Sequence, residues 1–247
     1  MLPFAPTVIR NPERPQMKST KSLYIAAVVL AVLAGAALII DVPIARLSVE
    51  NRASGDFRKL LNISEVFAHG FGVALILITV AVLDPGNRRK LPRVCACAFG
   101  AGLVAQMAKH GLPRLRPNVF DFSGNVWSSF LGHASSAQVE TGNVMVRGLQ
   151  SFPSGHTATA VGLAFGLGWL YPRGRWLFFA FASLAAFQRI ESSAHFVSDT
   201  FAGAAVACVI VAFCFDSRVF GRAFTRLEHL KQETALGSDV VSSGSSA

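Results

Sequence analysis

Three clusters of ionisable residues interrupt an otherwise apolar sequence, and their residue types suit chemistry at phosphorus. The first, "KHGLPRLRP", carries Lys109 and, seven residues on, Arg116 followed by Pro117. The second is "PSGH", Pro153 to His156, and the third, "RIESSAHFVSD", carries Arg189, His195 and Asp199. Ionisable side chains at membrane depth are costly, so such clusters are read as functional. Lys109, Arg116 and Arg189 offer one ammonium and two forked guanidiniums, a set matched to an anion with several equatorial oxygens. Pro153 suits the first turn of a helix. The N–H groups of Ser154, Gly155 and His156 would then point at an anion at that helix N-terminus. Gly155 lets the backbone come close, and Ser154 adds a hydroxyl donor. His195 and Asp199 are spaced i, i+4 and share a helix face, so the carboxylate can fix the imidazole tautomer and raise its basicity. The other ring nitrogen is then free to attack phosphorus, with His156 as the acid at the leaving oxygen and water clearing the phosphohistidine. The cationic trio takes up charge on the equatorial oxygens, so this reading calls for no metal and no cofactor.

These residues need elements to bring them together, and composition says which. A chain of 247 residues that is 52% hydrophobic and 15% charged is too apolar for an ordinary soluble domain. Apolar runs long enough, with their flanks, to cross a bilayer lie at about 23–44, 66–83, 94–108, 157–170, 176–187 and 196–215. The expected fold is all-α, an integral membrane bundle of six transmembrane helices. The middle runs are short and borrow flanking residues. The first run is too long for a cleaved signal peptide. Residues 1–22 read as a cytoplasmic tail, 23–216 as the membrane domain and 217–247 as a second cytoplasmic tail.

Positive charges set the orientation, because Lys and Arg in short loops stay cytoplasmic. With the N-terminus inside, fourteen of the 23 Lys and Arg face the cytoplasm, and the "NRRKLPR" turn weighs most. Both termini are then cytoplasmic, and all three chemical clusters fall on the outer, periplasmic face. The net charge of +9 reads as membrane orientation and contact with anionic lipid, not nucleic acid. Cys95, Cys97, Cys208 and Cys214 lie in the apolar runs and read as core packing. In "SRVFGRAFTRLEHL", Phe220, Phe224 and Leu227 share one helical face and Arg218, Arg222 and Arg226 another, which suggests a helix lying on the inner membrane surface. The Gly- and Ser-rich end after it reads as disordered.

The ordered pattern K-x6-R-P, P-S-G-H, R-x5-H-x3-D resembles the signature of the type-2 phosphatidic acid phosphatase superfamily, which includes lipid phosphate phosphatases and the vanadium haloperoxidases. The resemblance spans about half the chain, from the third apolar run to the sixth. It implies a six-helix membrane bundle, His195 as nucleophile, His156 as general acid, and phosphate held by Lys109, Arg116, Arg189, Ser154 and Gly155. The haloperoxidase branch is disfavoured because those relatives are soluble. One departure is visible: the family's serine before the third-motif arginine is Gln188 here, which could still donate a hydrogen bond to phosphate.

The resulting expectation is a membrane phosphatase acting on a lipid-linked substrate such as phosphatidic acid, phosphatidylglycerol phosphate, undecaprenyl diphosphate or lipid A. The alternatives are a phosphotransferase that uses the same histidine with an alcohol acceptor, and a transporter or structural membrane protein. The stretch from Asn118 to Phe152 would form a lid, with Phe120, Phe122, Trp127 and Phe130 available to acyl chains. Arg114, His110, His133 and Glu191 read as surface residues, His69 as mainly structural, and Gly162 and Gly166 as helix-packing positions.

Overall fold

The computed structural model describes residues 20–130 and 150–229. Residues 1–19 and 230–247 of the two tails and the middle of the proposed lid, His133 included, lie outside the described residues. Among the described residues the architecture is all-helical: α1 (Thr20–Glu50), α2 (Gly55–Ser64), α3 (Gly70–Leu83), α4 (Leu91–Ala108), α5 (Gly155–Leu170), α6 (Arg175–Glu191) and α7 (Val197–Phe215). A further helical stretch covers 221–229.

Five of the six apolar runs each coincide with one helix and the second is broken, and three helical segments are long and apolar enough to cross a membrane unaided. They are Thr20–Glu50, Pro85–Ala108 and Val197–Phe215. The third of the apolar runs reaches that length by adding the 3-10 turn Pro85–Lys90 ahead of α4. The second run corrects the reading of one straight span. Its first residues belong to a 3-10 turn, Glu65–Phe67, that closes α2, and α3 leaves at a bend of 68°. Helix α2 itself was not foreseen, because "GDFRKLLNIS" is too polar to stand out beside the apolar runs. Helices α5 and α6 have 16 and 17 residues and are joined by the 3-10 turn Pro172–Gly174.

Helix α5 is the hub, packed against α4, α6 and α7, while α1 lies along α7. Its near-continuous burial comes from small residues. A Cβ at Gly162 would collide with the Cys97 carbonyl, and one at Gly166 would strike the Val94 side chain. Small residues let helix backbones close up where lipid offers no hydrophobic drive between them. Both glycines thus act as packing positions. The large aliphatics point outward: Ile39 is 82% exposed and Leu83 77% exposed, as an acyl-chain surface requires.

At the end opposite the chemical clusters, Arg93 of α4 is buried. It stacks on Trp169, Phe215 and Phe224 and pairs with Glu228 at 2.9 Å. The C-terminal helix is therefore docked on the bundle through Phe224 rather than resting wholly on lipid, while Phe220 and Leu227 stay exposed.

Gly162→Ala is expected to lower stability by about 1–3 kcal/mol, the usual range for overpacking. Gly35→Ala, whose added Cβ meets nothing within 4 Å, leaves it unchanged. Thermal unfolding of both variants in detergent checks the contrast.

Candidate active site

Four helix ends build the site. Lys109 caps the C-terminus of α4, Ser154 the N-terminus of α5, Arg189 lies in the last turn of α6, and His195 sits two residues before α7. The sequence places these residues far apart, and the bundle brings them to one end. A Cβ at Gly155 would lie 3.9 Å from the Lys109 ammonium nitrogen, so the first turn of α5 faces that cation across a gap free of side chain. Lys109 and Arg116 lie close enough to act on one another and on Asp199, and Arg189 feels Arg116.

The α5 entrance differs from the expected geometry in two ways. The helix begins at Gly155 with Ser154 as its cap, so Pro153 precedes the cap and is not in the first turn. The Ser154 N–H is not available to an anion either, because it donates to the Asp199 carbonyl at 2.9 Å. The N–H groups of Gly155 and His156 remain, since the first N–H groups of a helix have no intrahelical partner. The Ser154 hydroxyl is buried and accepts from the Thr157 hydroxyl at 3.0 Å, leaving its own proton to give.

His195 is 2% exposed, and its Nδ1 lies 3.6 Å from Asp199 Oδ2, ion-pair distance rather than a hydrogen bond. The reason is that the carboxylate is already occupied. Asp199 Oδ2 accepts from the Ser151 hydroxyl at 2.6 Å and from the Phe196 N–H at 2.8 Å, and Oδ1 accepts from Arg114 at 2.6 Å. Among the described residues, the buried Arg116 Nε and His195 Nδ1 have no hydrogen-bond partner. Buried donors of this kind call for a partner, and an anion between Arg116 and Lys109 would provide one for the guanidinium. Burial, with the Arg116 charge next, lowers the Lys109 ammonium to about 8. Burial also pulls His195 below the ordinary histidine value, against the pull of Asp199. A neutral imidazole is the form that attacks.

Arg114, read from sequence as a surface residue, is fully buried and holds the site together. Its Nε donates to Ser129 Oγ at 2.9 Å, Nη1 to Ser198 Oγ at 2.7 Å and to Asp199, and Nη2 to Asp41 Oδ2 at 2.8 Å. Phe130 and Phe196 lie over the guanidinium with ring centroids at 4.6 and 4.1 Å. Asp41 belongs to α1, within the first apolar run. A carboxylate inside such a run is itself a signal, and it was the one that could have found this network. Phe120, expected to meet acyl chains, instead packs edge-on against Phe122 and Phe196. Glu191 is half-buried and accepts the Ala53 N–H at 2.9 Å, whereas His110 is exposed as expected. Gln188 is buried. Its Oε1 accepts from Arg189 Nε at 2.5 Å and its Nε2 donates to Asn62 at 3.4 Å, so it holds an arginine rather than facing an anion.

A helical bundle that gathers Lys109, Arg116, Arg189 and two histidines at one end defines a class, and comparison with known proteins gives the same class. The PAP2 superfamily model matches residues 91–221, and the chain belongs to that superfamily. Among curated relatives it is similar to "Lipid A 1-phosphatase" of Rhizobium etli, 33% identical over 106 residues, which is 42% of this chain and 40% of that protein. The protein of the same name from Rhizobium johnstonii is 32% identical over 106 residues, 42% of this chain and 38% of that protein. The matched stretch thus spans well under half the length of these curated relatives. No solved structure matches the chain.

Arg114→Ala would leave two buried carboxylates, Asp41 and Asp199, without their shared partner. The expected cost is about 3–5 kcal/mol, the range for breaking a buried ion pair. Denaturation of the variant in detergent, beside Asp41→Asn, measures it.

Proposed function

We propose that the protein is an integral membrane phosphatase that removes phosphate from a lipid substrate through a phosphohistidine on His195. The observation that carries the reading is the meeting of His195 and His156 with Lys109, Arg116, Arg189 and the free N–H groups of α5 at one end of the bundle. In the first step a His195 ring nitrogen attacks phosphorus and the bond from phosphorus to the leaving oxygen breaks. His156 gives its proton to that oxygen. In the second step water attacks the phosphohistidine, His156 takes the water proton, and inorganic phosphate leaves with His195 restored. Lys109, Arg116 and Arg189 neutralise charge on the equatorial oxygens throughout, the largest catalytic effect such a site offers.

Two further features belong to this reading. The excess of Lys and Arg near the other end of the bundle supports a periplasmic site with cytoplasmic termini. The similarity to the two lipid A phosphatases makes a sugar-linked lipid phosphate the first substrate to try, ahead of phosphatidic acid, phosphatidylglycerol phosphate and undecaprenyl diphosphate.

The test is phosphate release by detergent-purified protein from that lipid panel with EDTA present. Release by the wild type and a loss of about three orders of magnitude or more in His195→Ala are expected, as for removal of a nucleophile. Failure to release phosphate from any lipid by folded protein would overturn the reading. The pH profile gives an independent check. Lys109 is charged below about 8 and neutral above it, so kcat/KM should fall as pH rises through that value. Lys109→Arg, which keeps its charge, should move that alkaline limb upward by more than one pH unit.

A further inference from the structure

The residues around His156 include one that neither the three motifs nor the mechanism above uses. Glu65 stands at the break between α2 and α3, where the 68° bend turns the chain into the site. Its Oε1 lies 3.0 Å from Arg189 Nη2 and 3.6 Å from His156 Nε2, and its side chain is 33% exposed. From the same break, the His69 ring lies 6.1 Å from that of His156. Burial and then the charges of Arg189, His195, His69 and Lys109 all work against a charged His156, and none of those four groups is an anion.

We infer that Glu65 is the positioning residue of the general acid, orienting His156 and keeping it protonated for delivery to the leaving oxygen. An imidazole that must give a proton has to carry one, and burial first, then the neighbouring cations, work against that. A carboxylate at ion-pair distance works for it, and the Glu65 oxygen faces the Nε2 edge of the ring. The two histidines are thereby matched. Each has a carboxylate 3.6 Å from a ring nitrogen, Asp199 for His195 and Glu65 for His156. Their surroundings set them apart. Asp199 is fully buried and already bonded to Arg114 and Ser151, whereas Glu65 is partly open to solvent. Glu65 also anchors Arg189 at Nη2 while Gln188 Oε1 accepts from its Nε, so one carboxylate serves the acid and one of the phosphate-binding cations.

This inference rests on the phosphatase reading, and leaving-group dependence separates the two. Proton delivery matters for an alkoxide leaving group and little for a stabilised phenolate. The measurement is kcat/KM for a long-chain alkyl phosphate and for 4-nitrophenyl phosphate, in detergent, with wild type, His156→Ala, Glu65→Gln and Glu65→Asp. In Glu65→Gln the alkyl substrate should lose at least tenfold more than the nitrophenyl substrate, the same pattern as in His156→Ala, and Glu65→Asp should recover part of the difference. Equal losses on both substrates, with His156→Ala still discriminating between them, would overturn the inference and leave Glu65 as an anchor for Arg189 alone. If the wild type releases phosphate from neither substrate nor from any lipid, the phosphatase reading itself fails. Thermal unfolding of each variant identifies a loss that comes from misfolding, and Glu65→Asp then decides the case.

Discussion

Arg114 carries its charge with no contact to solvent, between a carboxylate on the first helix and another on the last. Taking such ions out of water costs several kcal/mol each, and the cost is offset only when geometry and hydrogen bonding are nearly complete. Here they are. All three guanidinium nitrogens donate, to four side chains in all, and the Phe130 and Phe196 rings lie against the group. Asp199 is fixed by that arrangement, and Asp199 in turn organises the two chemical segments on either side. Its carboxylate accepts from Ser151 just before the PSGH turn and from Phe196 just after His195, and its carbonyl accepts from Ser154. The absence of a side chain on Gly203, one turn further along α7, lets the helix lie directly against the Ser154 carbonyl. His195 and the PSGH turn are therefore registered to each other through one residue.

The family match begins at residue 91, yet two of the carboxylates that shape the site, Asp41 and Glu65, precede it. The helices before the matched region contribute chemistry as well as membrane attachment. Helix α1 brings Asp41 to Arg114, and the α2–α3 break brings Glu65 and His69 to His156.

What could be read in advance follows from which constraints are local. Lys109, Arg116, Ser154, Gly155, His156, Arg189, His195 and Asp199 stood out because ionisable and small residues at fixed spacings are conspicuous in an apolar chain. The positions of the helices other than α2 were legible from the apolar runs. Their buried faces were not, because a helix apolar all round gives no pattern to distinguish lipid from protein. In α1 the buried side is marked by Ala34 and Ala37 and the lipid side by Ile39, the reverse of the soluble rule. Arg114 was misread for a related reason. Two residues from Arg116, it is the same type in the same loop, and only its tertiary partners, on α1 and α7, distinguish an arginine that holds structure from one whose buried Nε has no partner. The second apolar run concealed its bend, since Glu65 and His69 flank the break without a proline to announce it.

Helix α4 lies between two buried arginines. Arg93 is in its first turn, locked under Trp169, Phe215 and Phe224, and Arg114 follows six residues after its last, locked between Phe130 and Phe196. The segment is thus pinned near both ends, like a rod held in two bearings. It can neither slide along the membrane normal nor turn about its axis without tearing a charged group from its aromatic seat. Lys109 and Arg116 ride on that rod, so the two cations are held at a fixed height relative to the rest of the bundle.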